Sequence, residues 1–551
     1  MPKPKTLLKE TKAKKKRKQV ASYQNLMEAT KLIARNRADQ SDLQAPESAD
    51  EFLAGQNLLT AVFAETEGVD LEEAGEKWRA GDPVKSMRFF MRAIEMYETG
   101  LRRYPASFDL AYNKARVQYE ITQHPKLVTQ LPGPIIDILR IALDSHREAL
   151  QKDQDNADIL FNTAQVLTSV AEALTEGKHA DEEQTEEALK CLTEALELFQ
   201  RCLVLQELRF TEYEQQLQMV QDHQTQHNKQ DEQQQHQQQQ KQQTQGGVGE
   251  SRTGSTEAEE WAAVVEPVTK NTLIDTAIAQ LEALATLCGL LSSDHGSTLV
   301  WVEEYSSDLL REKIAAYVEG TDRANEVAMV RAKFLSILLE VNYRSGRIDL
   351  DTYKQELDSA WSNNVDVSHD PAGLSNQAEA LIGFSSAIAD AYPAIDVEGF
   401  PRSLDLRWQA LGVALSRLAA ASKLAGPDNL AKIHIARGDA EMHRWRLGQV
   451  PFCYAPAVDN AATLLKNAET YYRGGAATAR RDGWPEAERE GTVKEALAKG
   501  LAGDSSQMGS LAIDSKGYMM RVADDMAEDG HIPPEDLSRL MAVLDPNELL
   551  F

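Results

Sequence analysis

Apolar residues return every three or four positions over most of this chain, and nowhere do they alternate convincingly at a period of two. That spacing builds the apolar stripe of an amphipathic helix and cannot build the half-buried face of a strand. Between Leu71 and Leu208 Gly and Pro punctuate the pattern, so the segments read as helices arranged in pairs. The pattern resumes at Trp261. Leu273, Ala277, Leu281, Leu284 and Cys288 share one helix face, as do Val327, Val330, Phe334, Leu338 and Val341, with Gly346 as a C-terminal stop. Further helices are predicted near 350–361, 374–391, 404–424, 428–447, 457–475, 485–500, 508–528 and 535–543. The fold class that follows is all-α. Composition agrees, since 42% apolar residues with only 6% aromatics favour Ala- and Leu-rich helix packing over a sandwich core.

Two breaks in composition divide the chain. Residues 1–20 carry nine Lys/Arg against Glu10 alone. Within them Lys12, Lys14, Lys15, Lys16, Arg17 and Lys18 have the form of a nuclear-localisation signal, and the same cation density would also suit RNA or ribosome contact through phosphate. The second break is 214–245, dominated by Gln and His and followed by GGVGESRTGSTE. Such a tract buries too little apolar surface to offset its ordering entropy, so disorder is expected over 212–258, with a helix running on into its start. The domains predicted are a basic tail (1–20), a short helix and linker (21–50), a helical lobe (51–211), a disordered Gln-rich linker (212–258) and a second helical lobe (259–551).

Within the first lobe one outline repeats. In GDPVKSMRFFMRAIEMYETGL (81–101) a Gly81-Asp82 turn precedes Ser86, Phe90 and Ala93-Ile94, and Tyr97, Gly100 and Leu101 continue it. Pro105 follows, then Ala111, Tyr112, Asn113 and Ala115. The outline returns as Ala142, Ala149, Leu150, Asp153 and Asn156, then Phe161, Asn162 and Ala164, and once more as Ala195, Phe199, Cys202 and Leu203. These residues resemble the tetratricopeptide (TPR) superfamily. Asn113 and Asn162 are 49 residues apart, longer than that family's repeat of about 34, and the loop at 124–134 absorbs the excess. Trp408, Leu411, Gly412 and Leu415 match a first-helix outline in the second lobe.

The resemblance implies a TPR-like α-solenoid in two lobes, with a concave groove lined by the first helix of each pair. Phe90, Ala93, Tyr97, Ala115, Ala149, Ala164 and Phe199 are then expected at buried helix crossings, where small residues let backbones approach. Asn113, Arg116, Glu120, Asn162 and Gln165 are the polar residues expected to line the groove and bind peptide; the alternative for the two Asn residues is a hydrogen bond within the helix stack.

No nucleotide-binding loop, HExxH or GxSxG motif is present, and none of the four cysteines forms a CxxC pair. No enzyme, cofactor or metal is therefore expected. His223, His227 and His236 belong to the low-complexity tract, and His434 and His443, nine residues apart, read as packed side chains. No apolar run reaches membrane-spanning length and no apolar segment backs the basic tail, so a protein without a membrane, nuclear and cytoplasmic, is expected. The formal charge is −27, which leaves about −35 once the tail's +8 is removed. An acidic body disfavours DNA and attracts basic protein segments. The function expected is a non-enzymatic protein-binding repeat protein, a nuclear or ribosome-linked escort or assembly chaperone for a basic client such as a ribosomal or histone-like protein. The alternatives are a co-chaperone or scaffold reading a peptide motif, and a ribosome- or RNA-associated factor acting through the tail.

Overall fold

The computed structural model describes residues 49–175, 181–241, 267–291, 296–362, 365–392, 397–424 and 426–542. The basic tail with Lys12, Lys14, Lys15, Lys16, Arg17 and Lys18, the linker up to residue 48 and positions 242–258 lie outside them. Among the described residues every regular element is helical.

The first lobe comprises α1 (Ala49–Trp78), α2 (Pro83–Arg103), α3 (Phe108–Glu120), the short α4 (Pro125–Val128), α5 (Ile135–Lys152), α6 (Ala157–Leu174) and α7 (Glu182–Lys241). Local sequence sets their starts. Asp82 accepts from the Lys85 amide at 2.9 Å with Pro83 opening α2, Ser107 caps α3, and Asn156 caps α6. Beyond the Gln-rich tract come α8 (Lys270–Leu290), α9 (Gly296–Asp308), a π turn (Leu309–Lys313), α10 (Ile314–Val318), α11 (Ala324–Arg344) and α12 (Leu350–Ser362). The chain closes with α13 (Pro371–Ala391), α14 (Phe400–Leu424), α15 (Pro427–Arg446), α16 (Ala455–Asp459), α17 (Ala461–Asp482), α18 (Pro485–Leu501), α19 (Ser506–Glu528) and α20 (Pro534–Ala542).

Neighbours in sequence pack as pairs: α1 with α2, α3 with α5, α6 with α7, α8 with α9 and α10, α11 with α12, α13 with α14, α15 with α17 and α18 with α19. The residues expected at crossings are buried, Phe90, Ala93, Tyr97, Ala115, Ala149 and Ala164 at 0% exposure and Phe199 at 1%.

Two expectations about the Gln-rich segment change. Helix α7 continues through it to Lys241, where disorder was expected from residue 212. Gln, Glu and Lys are good helix formers, so a helix already fixed by packing extends on local propensity. Residues 211–219 are all exposed, which is why the apolar pattern stops there. Nor does the tract separate two cores: α8 packs on α6 and α7, and one cluster holds Phe161, Phe199, Leu281 and Phe334. Composition records which stretch meets water, not which helices meet each other.

The core then passes on by shared helices. In α11, Phe334 belongs to this cluster while Ala332 joins the next, around Tyr353 and Phe384; in α14, Leu418 faces that second cluster and Leu411 faces the last, around Trp445 and Tyr472. Each helix pair buries its faces on its neighbours, the arrangement of a solenoid. Helix α8 corrects one reading of the sequence: by length and composition it is apolar enough to cross a membrane, yet 78% of that stretch is buried among its neighbours, as in a core helix. His443 is buried with its ring 4.2 Å from that of His531.

Candidate protein-binding face

The first helices touch in succession, α1 to α3, α3 to α6, α6 to α8, α8 to α11 and α11 to α13, so polar residues at these contacts form one seam. It begins with buried charge. Arg116 of α3 pairs with the fully buried Glu72 of α1, and with Glu120 at 3.2 Å. Glu120 also receives Arg79 at 3.3 Å, and the Tyr97 hydroxyl of α2 donates to Glu72. Burial pushes the Tyr97 phenol well up, and the Glu72 charge adds to it. The Tyr97 ring lies against Gly68, where a Cβ would collide with it, so this crossing depends on glycine.

The same construction recurs far along the chain. The Tyr472 ring of α17 lies against Gly438 of α15, and its hydroxyl donates to Asp439 at 2.7 Å. Lys494 of α18 then donates to Asp439 at 3.0 Å, as Arg116 pairs with Glu72. In both places a second-helix tyrosine packs on a first-helix glycine and meets a carboxylate held by the next first helix. No spacing in the sequence links the two.

The five expected groove residues divide. Arg116 and Glu120 belong to the buried ion network, and Glu120 is only 6% exposed. Their guanidinium and carboxylate are therefore taken up within the fold, which corrects the expectation that they line an open face. Asn162 donates from Nδ2 to the Tyr112 hydroxyl at 2.9 Å, joining α3 to α6. Asn113 is buried at 6% exposure, and Gln165 is half-buried; the amide of neither makes a side-chain hydrogen bond with the described residues. The Tyr119 hydroxyl reaches the Gln165 carbonyl at 3.3 Å and Ser169 Oγ at 2.9 Å, fixing α6 in register with α3.

Sequence reasoning missed the continuation of the seam. Glu172 lies seven residues beyond Gln165 on α6 and therefore on the same face. Across from it, Glu282 of α8 is half-buried and makes no ion pair with a described residue; burial pushes its carboxyl up to about 7, Lys333 of α11 opposes the shift, and Glu172 and Glu326 add to it. Helical phase along α6 was the one available signal, and nothing in the sequence says which residue of α8 meets it.

No family model matches the chain. It is similar to UPF0656 protein C926.02 of Schizosaccharomyces pombe, 24% identical over 413 residues, covering 73% of this chain and 81% of that protein. A solved circular tandem repeat protein with novel repeat topology and enhanced subunit contact surfaces aligns over 96% of this chain and all of its own at 15% identity, with a TM-score of 0.25 that carries no argument. The chain is all-α and built from packed helix pairs, a helical-repeat architecture.

Proposed function

We propose that this protein is a non-enzymatic helical-repeat escort or assembly chaperone that takes up a basic protein segment along the seam of its first helices. The observation that carries the reading is the charge of about −35 outside the tail, with Glu282 beside Glu172 and Glu326 and in no ion pair with a described residue. A Lys or Arg of a client set there would add counter-charge beyond that of Lys333, and an acidic surface speeds its arrival. A ribosomal or histone-like segment has that chemistry. The tail's Lys14, Lys15, Lys16, Arg17 and Lys18 then serve as a nuclear address for a protein shuttling with the cytoplasm, or as an RNA or ribosome contact.

A second reading is a co-chaperone or scaffold that reads an extended peptide. The half-buried amide of Gln165, which makes no side-chain hydrogen bond with the described residues, favours it, because such a group bonds a peptide backbone whatever its sequence. Capture of partners on the full chain, eluted by a salt ramp, separates the two. A basic client leaves as salt rises, with affinity for a Lys/Arg-rich peptide falling steeply in calorimetry. Affinity unchanged by salt sinks the escort reading.

A further inference from the structure

Helix α14 holds a buried cation whose Nε and Nη1 find no acceptor among the described residues. Arg407 of α14 is 4% exposed, and its Nε and Nη1 are buried with no acceptor. It makes no ion pair with a described carboxylate. Its guanidinium carbon lies 4.7 Å from the centre of the Phe452 ring, and that of Arg446, at the end of α15, lies at the same distance from the same ring. Two like charges thus sit against one aromatic ring in an otherwise acidic protein.

The ring is held in place. Phe400 stacks on Phe452 at 6.1 Å, and the Phe452 amide donates to the Gln449 carbonyl at 2.8 Å. Arg446 donates from Nη1 to the Val450 carbonyl at 2.8 Å, which aims it into the same corner. Stacking on phenylalanine covers a guanidinium's face but leaves its in-plane N–H donors needing acceptors. Burial and the Arg446 charge bring Arg407 down to about 10, with Asp390 opposing, and burial lowers Arg446 as well, against Glu535 and Asp536. A buried cation left this way costs free energy that an anion would recover.

We propose that Arg407 and Arg446, seated on Phe452, form a binding site for an oxyanion, a carboxylate or phosphate group carried by a ligand. Guanidinium donors suit the geometry of both groups, and the flanking aromatic rings exclude the water that would compete. The site lies on α14 and α15, apart from Glu172 and Glu282 of the acidic seam on α6 and α8, and does not depend on the reading of that seam.

Thermal unfolding of the full chain tests the proposal, with inorganic phosphate, succinate and chloride compared at equal ionic strength. Phosphate, succinate or both should raise the midpoint by roughly 2–4 °C over chloride. A rise with phosphate alone assigns a phosphoryl ligand, and with succinate alone a carboxylate. Arg407→Met keeps the packing volume and removes the unpaired charge, so the anion increment should vanish while the midpoint in chloride holds or climbs. Arg446→Gln should shrink the increment. The proposal is overturned by an increment equal to that of chloride, by one that survives Arg407→Met, or by a fall in the chloride midpoint of that variant, which would make the guanidinium a support of the fold.

Discussion

The Asn162 amide donates to the Tyr112 hydroxyl at 2.9 Å, a bond between residues 50 apart that ties the first helix of one pair to the first helix of the next. Tyr112 is half-buried, and desolvation pushes its phenol above the usual range, so the hydroxyl stays protonated at all ordinary pH and accepts this bond as a neutral group. Asn162→Ala should cost about 0.5–1.5 kcal/mol in chemical denaturation, and little further should be lost when Tyr112→Phe is added. Additive losses would show that the two groups do not depend on each other.

Asn113 and Gln165 make no such bond, so the outcome reverses. Asn113→Ala with Gln165→Ala should leave the denaturation midpoint nearly unchanged and weaken an extended peptide by about 0.5–1.5 kcal/mol per amide lost. Calorimetry against a captured client reads it. A loss of stability without loss of affinity would place both amides in the fold.

The buried pair Arg116–Glu72 invites a sharper test. Arg116→Met removes the cation paired with the Glu72 carboxylate, which sits at 0% exposure, and should destabilise by about 3–5 kcal/mol. Adding Glu72→Met should recover much of that loss, because replacing both charges with apolar side chains removes the desolvation cost. If the double variant is no better than the single, the pair contributes through geometry that methionine cannot supply. Lys494→Met should behave in the same direction at Asp439, which Lys494 and Tyr472 serve together.

These contrasts mark what the sequence could tell. Helix pairs were legible because burial writes its period into each segment: Phe90, Ala93 and Tyr97 recur on one face of α2 and are all buried. The division of the site residues was not. Asn113, Arg116 and Glu120 all lie on α3, but whether a polar side chain meets a partner depends on α1 and α6, whose approach no local pattern records. The start of the Gln-rich tract misled for a related reason, since residues 211–219 are helical and all exposed, and a helix with no buried face looks like disorder in composition. Glycines at crossings were equally silent. Gly68 and Gly438 are ordinary positions in sequence, and only the rings of Tyr97 and Tyr472 against them show why they must be small. Gly438→Ala is therefore expected to cost on the order of 1–3 kcal/mol by overpacking, read as a shift in the denaturation midpoint.

The basic tail lies outside the described residues, and its role is open to a direct test. Replacing Lys14, Lys15, Lys16, Arg17 and Lys18 with Ala should move a fluorescent fusion out of the nucleus. A fusion that keeps its place but loses ribosome or RNA co-sedimentation assigns the tail to phosphate contact instead.

Glu282 links stability, pH and binding in one residue. Burial raises its carboxyl from an ordinary 4.5 to about 7, with Glu172 and Glu326 adding and Lys333 opposing. A carboxyl with a raised folded value holds its proton more tightly in the native state, so its contribution to stability is complete below pH 4.5 and is lost as pH climbs towards 7. Glu282→Gln fixes the neutral form. It should match the wild type near pH 4.5 and exceed it above pH 7 by an amount on the order of 1–3 kcal/mol, measured as the difference in denaturation midpoints. The same substitution should weaken a Lys/Arg-rich peptide above pH 7, because a client cation at this position stabilises the charged form that the fold alone disfavours. Stability that rises while affinity falls would place Glu282 in the binding face, where function holds a carboxylate at a cost to the fold. Stability that rises with affinity unchanged would leave the carboxylate a strained but idle member of the seam and move the client's cation to another part of the acidic surface.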